Sequence, residues 1–137
     1  MDASPPPIIA QEIRLVDEEG LPRVVLSTRN GIPTIRLLRT DGESGGELSL
    51  DMQGRPAMKL ANTDPNGPTA ALEIDDKGAH VKFDRAGGAS SYLFLNNTGG
   101  SGIALFDSHG IRRLNAVVDP DGTSKIERLD SDGKPLP

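Results

Sequence analysis

The stretch Ile13-Arg14-Leu15-Val16-Asp17-Glu18-Glu19-Gly20-Leu21-Pro22-Arg23-Val24-Val25-Leu26 decides the fold. Ile13 and Leu15 flank Arg14, the period-two alternation of a strand whose successive side chains point to opposite faces. Asp17 and Gly20 then stand at the first and fourth positions of a tight turn. An aspartate at the first position accepts local backbone N–H groups, and a glycine at the fourth tolerates positive φ. A second apolar run, Val24 to Leu26, follows at once. The segment reads as strand, turn, strand.

The same unit recurs outward in both directions. Gly20, Gly31, Gly42, Gly54, Gly67, Gly78, Gly88, Gly100, Gly110, Gly122 and Gly133 follow one another at steps of 10 to 13 residues. The remaining glycines (Gly45, Gly46, Gly87, Gly99, Gly102) sit within four residues of one of these, so the intervals between clusters are glycine-free. Ile13, Ile35, Met58, Val81, Ile103 and Ile126 are spaced by 22 or 23 residues. A second apolar residue follows two positions later in the first five copies: Leu15, Leu37, Leu60, Phe83 and Leu105. The last copy departs, with Arg128 there and Leu129 beyond it. Internal periodicity of this kind defines a repeat architecture.

Asp-x-x-Gly recurs at Asp51–Gly54, Asp75–Gly78, Asp107–Gly110, Asp119–Gly122 and Asp130–Gly133. Asn30-Gly31, Asn66-Gly67, Asp41-Gly42, Asp121-Gly122 and Asp132-Gly133 are the dipeptides favoured in type I′ hairpin turns. Pro22, Pro33, Pro56, Pro65, Pro68, Pro120 and Pro135 lie beside turns, where a missing N–H costs no ladder bond. No segment carries a helical stripe over ten residues free of Gly and Pro. The expected chain is all-β: an arm over residues 1–12, flexible and rich in proline, then about six two-strand hairpin units over 13–137. Gly99-Gly100-Ser101-Gly102 is the expected flexible loop.

Spacing near eleven residues leaves no room for Greek-key crossovers. A propeller blade takes ~40–45 residues, so the chain would supply about three, too few to close. A solenoid with one coil per unit conflicts with the antiparallel Asn-Gly and Asp-Gly turns. An antiparallel meander remains, and its apolar face must be covered. The chain holds only four aromatic residues, Phe83, Tyr92, Phe94 and Phe106. An aromatic side chain buries ~150–250 Å², so their scarcity makes a thin core. Thin cores and regular hairpins favour shared packing, and the expected arrangement is an intertwined homotrimer, a β-prism or fibre-like assembly.

The chain has 137 residues, a net charge of −5 and no cysteine. The acidic balance and scattered basic residues speak against nucleic acid. No apolar stretch approaches the ~18 residues of a membrane span, and no basic region followed by an apolar run suggests a secretory signal. These features leave the compartment open. Disulfides and thiolate metal sites are excluded.

No catalytic constellation is expected. Ser108 and His109 adjoin Asp107, but sequence neighbours rarely converge as a triad requires. Asp119-Pro120-Asp121-Gly122 and Asp130-Ser131-Asp132-Gly133 resemble the start of a calcium loop, yet flanking helices are lacking, and turn formation explains these aspartates. Gly99–Gly102 lacks the lysine and helix of a phosphate loop. Tyr92 and Phe94 share a strand face, where a core role is the expectation. The sequence thus names no catalytic residue, no cofactor-binding residue and no metal ligand.

The stretch from Ile13 to Leu26 resembles bacterial tandem-repeat proteins built on a Leu-x-Asp-x-x-Gly-x-x-Arg-x-x-Leu unit. Ile103-Ala104-Leu105-Phe106-Asp107-Ser108-His109-Gly110-Ile111-Arg112-Arg113-Leu114 is similar to the same unit. In the middle copies Arg39 replaces the aspartate and Gly87-Gly88 adds a residue. Phe106-Asp107-Ser108-His109-Gly110 and Val118-Asp119-Pro120-Asp121-Gly122 also resemble the tyrosine–aspartate repeats of bacterial toxin shells, though the tyrosine is absent. These resemblances imply hairpin repeats and carry little about activity. The functional expectation is a non-enzymatic structural or attachment module: a stalk, fibre segment or particle component built by homo-oligomerisation. The alternative is a protein- or glycan-binding β domain using exposed loops such as Asn96–Gly102.

Overall fold

A computed structural model describes residues 3–137; the first two residues of the N-terminal arm lie outside the described residues. Eleven strands follow in order: β1 (Glu12–Val16), β2 (Pro22–Ser27), β3 (Thr34–Leu38), β4 (Ser44–Leu50), β5 (Pro56–Leu60), β6 (Thr69–Ile74), β7 (Gly78–Asp84), β8 (Ser90–Asn96), β9 (Ser101–Phe106), β10 (Arg112–Val118) and β11 (Ser124–Arg128). They form one antiparallel sheet in which every strand pairs with its neighbours in sequence. The sheet is open, since β1 and β11 do not meet. This meander rules out the solenoid, whose strands would be parallel, and the propeller, whose blades would be separate sheets. β1 begins at Glu12, one residue before the boundary read from the sequence.

One turn type builds most of the molecule. At Asp17, Arg39, Asp51, Arg85, Asn96, Asp107, Asp119 and Asp130, the residue accepts from the N–H three positions on and donates its own N–H to the carbonyl four positions on. That pair of bonds defines a type I turn followed by a glycine with positive φ, closing a hairpin with a bulge; the Arg85 turn departs, because Gly87 at its third position also has positive φ (+102°). The glycine has φ +80° at Gly20 and +77° at Gly110. The backbone sets the turn, so Arg39, Arg85 and Asn96 can replace the aspartate.

Three expectations are corrected. Asp41-Gly42, Asp121-Gly122 and Asp132-Gly133 are not type I′ pairs, because only the glycine of each has positive φ. Asn66-Gly67 is not one either, since neither residue has positive φ. There the Asn62 amide donates to the Pro68 carbonyl (2.9 Å) and its oxygen accepts from the Asp64 N–H (3.0 Å), which organises a longer connection. Asn30-Gly31 alone matches type I′, with φ 59° and 70° and an Ile32 N–H to Arg29 carbonyl bond of 3.2 Å. Gly99–Gly102 is no open loop: Gly99 closes the Asn96 turn, Gly100 is buried, and Ser101 and Gly102 begin β9.

The register sorts side chains into two faces. Ile13, Leu26, Ile35, Leu48, Met58, Leu72, Val81, Leu93, Ile103, Ala116 and Ile126 are successive cross-strand partners. They form one apolar row from edge to edge. A parallel row holds Leu15, Val24, Leu37, Gly46, Leu60, Ala70 and Phe83, and another holds Leu50, Pro56, Ile74, Ala79 and Leu95. The opposite face carries Glu12, Arg14, Arg36, Glu47, Lys59, Glu73, His80, Lys82, Lys125 and Glu127.

Candidate functional site

The apolar face has nothing on it. Each strand packs only against its neighbours in the sheet, and no second layer exists among the described residues. Leu37 is 55% exposed, Leu93 55% and Ile126 77%. Among the described residues only Val25, Ala104 and Leu129 are buried apolar residues, and Val25 and Ala104 belong to the charged face. The usual arrangement, apolar side chains inside, is inverted for a lone chain. Its accessible surface is 10011 Å² for 14.5 kDa. A compact monomer of that mass exposes ~6,900 Å². The largest apolar patch of a typical monomer is ~300–600 Å², whereas here the central row alone stays open over ten inter-strand steps, ~48 Å, with shorter apolar rows on either side of it.

The charged face is knitted together. Arg14 bonds Glu12 (2.5 Å), which also pairs with Arg29 (3.0 Å); Lys82 pairs with Asp84 (3.0 Å) and Lys125 with Glu127 (2.5 Å). These surface pairs suit water and add little to stability.

The Asp-x-x-Gly-x-x-Arg element proves to be a local staple. Asp17 accepts the Glu19 and Leu21 N–H groups (both 3.0 Å). Arg23 reaches back to Asp17 (3.3 Å) and donates to the Leu38 carbonyl in the next hairpin (3.0 Å). Asp107 accepts from the N–H of His109 (2.9 Å) and Ile111 (3.1 Å), while Arg113 holds Asp107 (3.1 Å) and the Leu129 carbonyl (3.1 Å). In the Asp51 copy the arginine moves to Arg55, which bonds Asp51 (2.7 Å) and Asp76 (3.1 Å). Each arginine therefore ties its own turn to the following unit.

The residues weighed for chemistry fall into this scheme. Asp107 is engaged by turn N–H groups and Arg113, and Ser108 meets His109 only at 3.5 Å. Asp130 accepts from Asp132 (2.8 Å) and Lys134 (2.9 Å) N–H groups, and Asp121 from Thr123 N–H (2.9 Å). No group of three metal-ligating side chains occurs among the described residues. Tyr92 and Phe94 do not join the apolar face: they pair with Lys82 and His80 on the charged one.

The turn carboxylates predict a pH response. Backbone N–H bonds, chiefly from Leu21, hold Asp17 below its ordinary value, and the Arg55 N–H does the same for Asp51. The Lys77 N–H lowers Asp75 and the Ile111 N–H lowers Asp107. A depressed folded pKa gives stability that is present above the unfolded value, about 3.8, and lost as pH falls through the folded one. The melting temperature should therefore hold down to about pH 5 and fall below about pH 4. The double variant Asp51→Asn, Asp107→Asn should melt lower at pH 7 and lose less on acidification. An equal acid-induced drop in variant and parent would contradict this.

No family model and no curated relative matches the chain. Among the described residues no helix is long and apolar enough to cross a membrane.

Proposed function

We propose that the chain is a non-enzymatic structural or attachment module, a stalk, fibre segment or particle component, formed when three copies pack their apolar faces around a common axis. The carrying observation is the uncovered apolar face, with an accessible surface far above that of a compact chain this size. A single layer must bury such a face against another element, and further copies of the same sheet supply one.

Three copies fit the dimensions. A five-residue strand spans ~17 Å, and packed sheets lie ~10 Å apart, so each sheet fills ~5 Å with side chains. A three-sided prism with faces ~17 Å wide sets each sheet ~5 Å from its axis, whereas four sides set it ~8.5 Å away and leave a void. The distribution of residue size agrees. Large aliphatics dominate the central row, while small residues such as Gly46, Ala70 and Ser91 interrupt one flank, and Ala79 and Ser101 the other. Flanking rows approach the acute corners of a prism, where space is least. Strand twist of ~20–25° per step also accumulates over more than half a turn across the sheet. Three sheets wound about one axis absorb it, whereas two sheets pressed face to face would splay at their ends. The repeats then have a simple purpose, since each adds one hairpin of length to the rod.

Folding linked to association makes stability depend on protein concentration. The expected result is a melting temperature that rises with each tenfold increase in concentration. A concentration-independent melt from a two-state transition would contradict the reading.

A further inference from the structure

Three of the chain's four aromatic residues lie together on the charged face, which stays in water whether or not the apolar face is covered. Tyr92 and Phe94 stand on β8, with ring centroids 5.6 Å apart. Phe106 stands on β9, with the Arg112 guanidinium 5.5 Å from its centroid. Between β8 and β10 the intervening strand presents Gly102 and Ala104, the cross-strand partners of Phe94 and Tyr92, before Phe106 at its end. Ala104 is 3% exposed and forms a floor. The Phe94 ring leans over Gly102, where an added Cβ would lie 2.9 Å from it. Asn115 and Val117 on β10 form the far wall. The result is a hollow of about 450 Å³, within the size range of small-ligand sites.

Its polar groups converge on the same space. Ser90 donates to Asp84 (2.8 Å), and Asp84 also holds Lys82 (3.0 Å). His80 stacks at 5.1 Å from Tyr92 and bonds Glu73 (3.0 Å), which fixes the Tyr92 ring from behind. Arg112 forms no ion pair among the described residues, so its remaining N–H donors are available. Lys82, Asp84 and Arg112 line the hollow, and Glu127, the cross-strand partner of Asn115, stands at its rim beside Arg112. Burying aromatics here brings the fold little, because the face that needs apolar bulk is the other one.

We infer that this hollow, bounded by Tyr92, Phe94, Phe106, Arg112 and Asn115, binds a saccharide that carries an acid group. The C–H face of a pyranose ring stacks on an aromatic side chain. Hydroxyls in vicinal pairs match the Asp84, Ser90 and Asn115 donor–acceptor set. A carboxylate is the natural partner of a guanidinium already oriented by cation–π contact. The trough between β8 and β10 spans two inter-strand steps, ~9.6 Å between backbones, and admits one sugar ring between its walls.

Saturation-transfer NMR on the full chain tests this, with methyl glycosides of N-acetylneuraminic acid, glucuronic acid and glucose as probes and an acidic hexapeptide beside them. Transfer to an acid sugar is expected, and it should be lost in Tyr92→Ala. In Arg112→Ala, an exposed substitution that leaves the sheet intact, binding of the acid sugar should weaken about tenfold, with any weak glucose signal unchanged. Thermal melts of both variants check folding. Three results would overturn the proposal: no transfer to either acid sugar, transfer undiminished in a folded Arg112→Ala, or a signal from the peptide alone.

Discussion

Replacing Leu48 and Leu93 by lysine should convert the protein into a monomer. Both residues lie in the central apolar row, on β4 and β8, and are 43% and 55% exposed on the lone chain. In a three-sided prism each would point at the axis, so three lysines would meet in a dry core at each level. An unpaired buried charge costs several kcal/mol. About 4 kcal/mol for each weakens association by about a thousandfold. The sheet itself should survive, because a lysine at either site reaches water when the chain is alone. The matched control is Ala57→Lys. Ala57 lies on the charged face opposite Glu73, where a lysine gains a cross-strand partner. That variant should retain the parent mass. Retention of the parent mass by the Leu48→Lys, Leu93→Lys protein would show that the apolar face is not the contact.

The second large effect concerns stability within a copy. Gly78 opens β7 with φ +148°, and a Cβ there would lie 2.2 Å from the Leu95 carbonyl oxygen and 2.7 Å from the Asn96 Cα. Those atoms belong to the backbone of β8, so the overlap cannot be relieved by a side-chain turn. Gly78→Ala should therefore cost more than the ~1–2 kcal/mol of a left-handed alanine alone, about 3 kcal/mol or above. For a chain of this size that is a fall in melting temperature of about 10 °C. Gly122 has φ +87° with open space around it. Gly122→Ala should cost only the conformational amount, ~1–2 kcal/mol. Equal losses at the two sites would mean that close approach of β7 to β8 is not what demands the glycine.

The repeat was legible because each unit states its strand and its turn in adjacent residues. Ile13, Ile35, Met58, Val81, Ile103 and Ile126 mark every second strand, and the glycines mark the turns between. The turn type at Asp41-Gly42 was not legible, because bulge and type I′ hairpins favour the same dipeptide; here the pair holds the third and fourth positions of the Arg39–Gly42 turn and only Gly42 has positive φ. The surroundings of the aromatics were not legible either. Ser91-Tyr92-Leu93-Phe94-Leu95 is apolar on both faces, so alternation alone does not say which side is covered. The answer lies in register, since Tyr92 falls opposite Lys82 and Leu93 opposite Val81. Pairing across most hairpins is set by the bulges at their turns, which shift register by one residue and swap faces when misjudged. The small floor beside Tyr92 and Phe94 was hidden for the same reason: Gly102 read as part of a loop because it follows Gly99 and Gly100.

The staple formed by Asp17, Gly20 and Arg23 accounts for the charged residues of the Asp-x-x-Gly-x-x-Arg element. Its aspartate and arginine are spent on the turn and on the next strand's carbonyl, at Leu38 and again at Leu129. Such a motif propagates a sheet, and it needs neither ligand nor metal to account for its charged residues. What the motif leaves uncovered, on every copy, is the apolar side.

Light scattering coupled to size exclusion measures that consequence directly. Three copies of the 14.5 kDa chain should elute as a single species of about 43 kDa. A species of 14.5 kDa at micromolar concentration would contradict the trimer and, with it, the claim that this sheet is completed by its own kind.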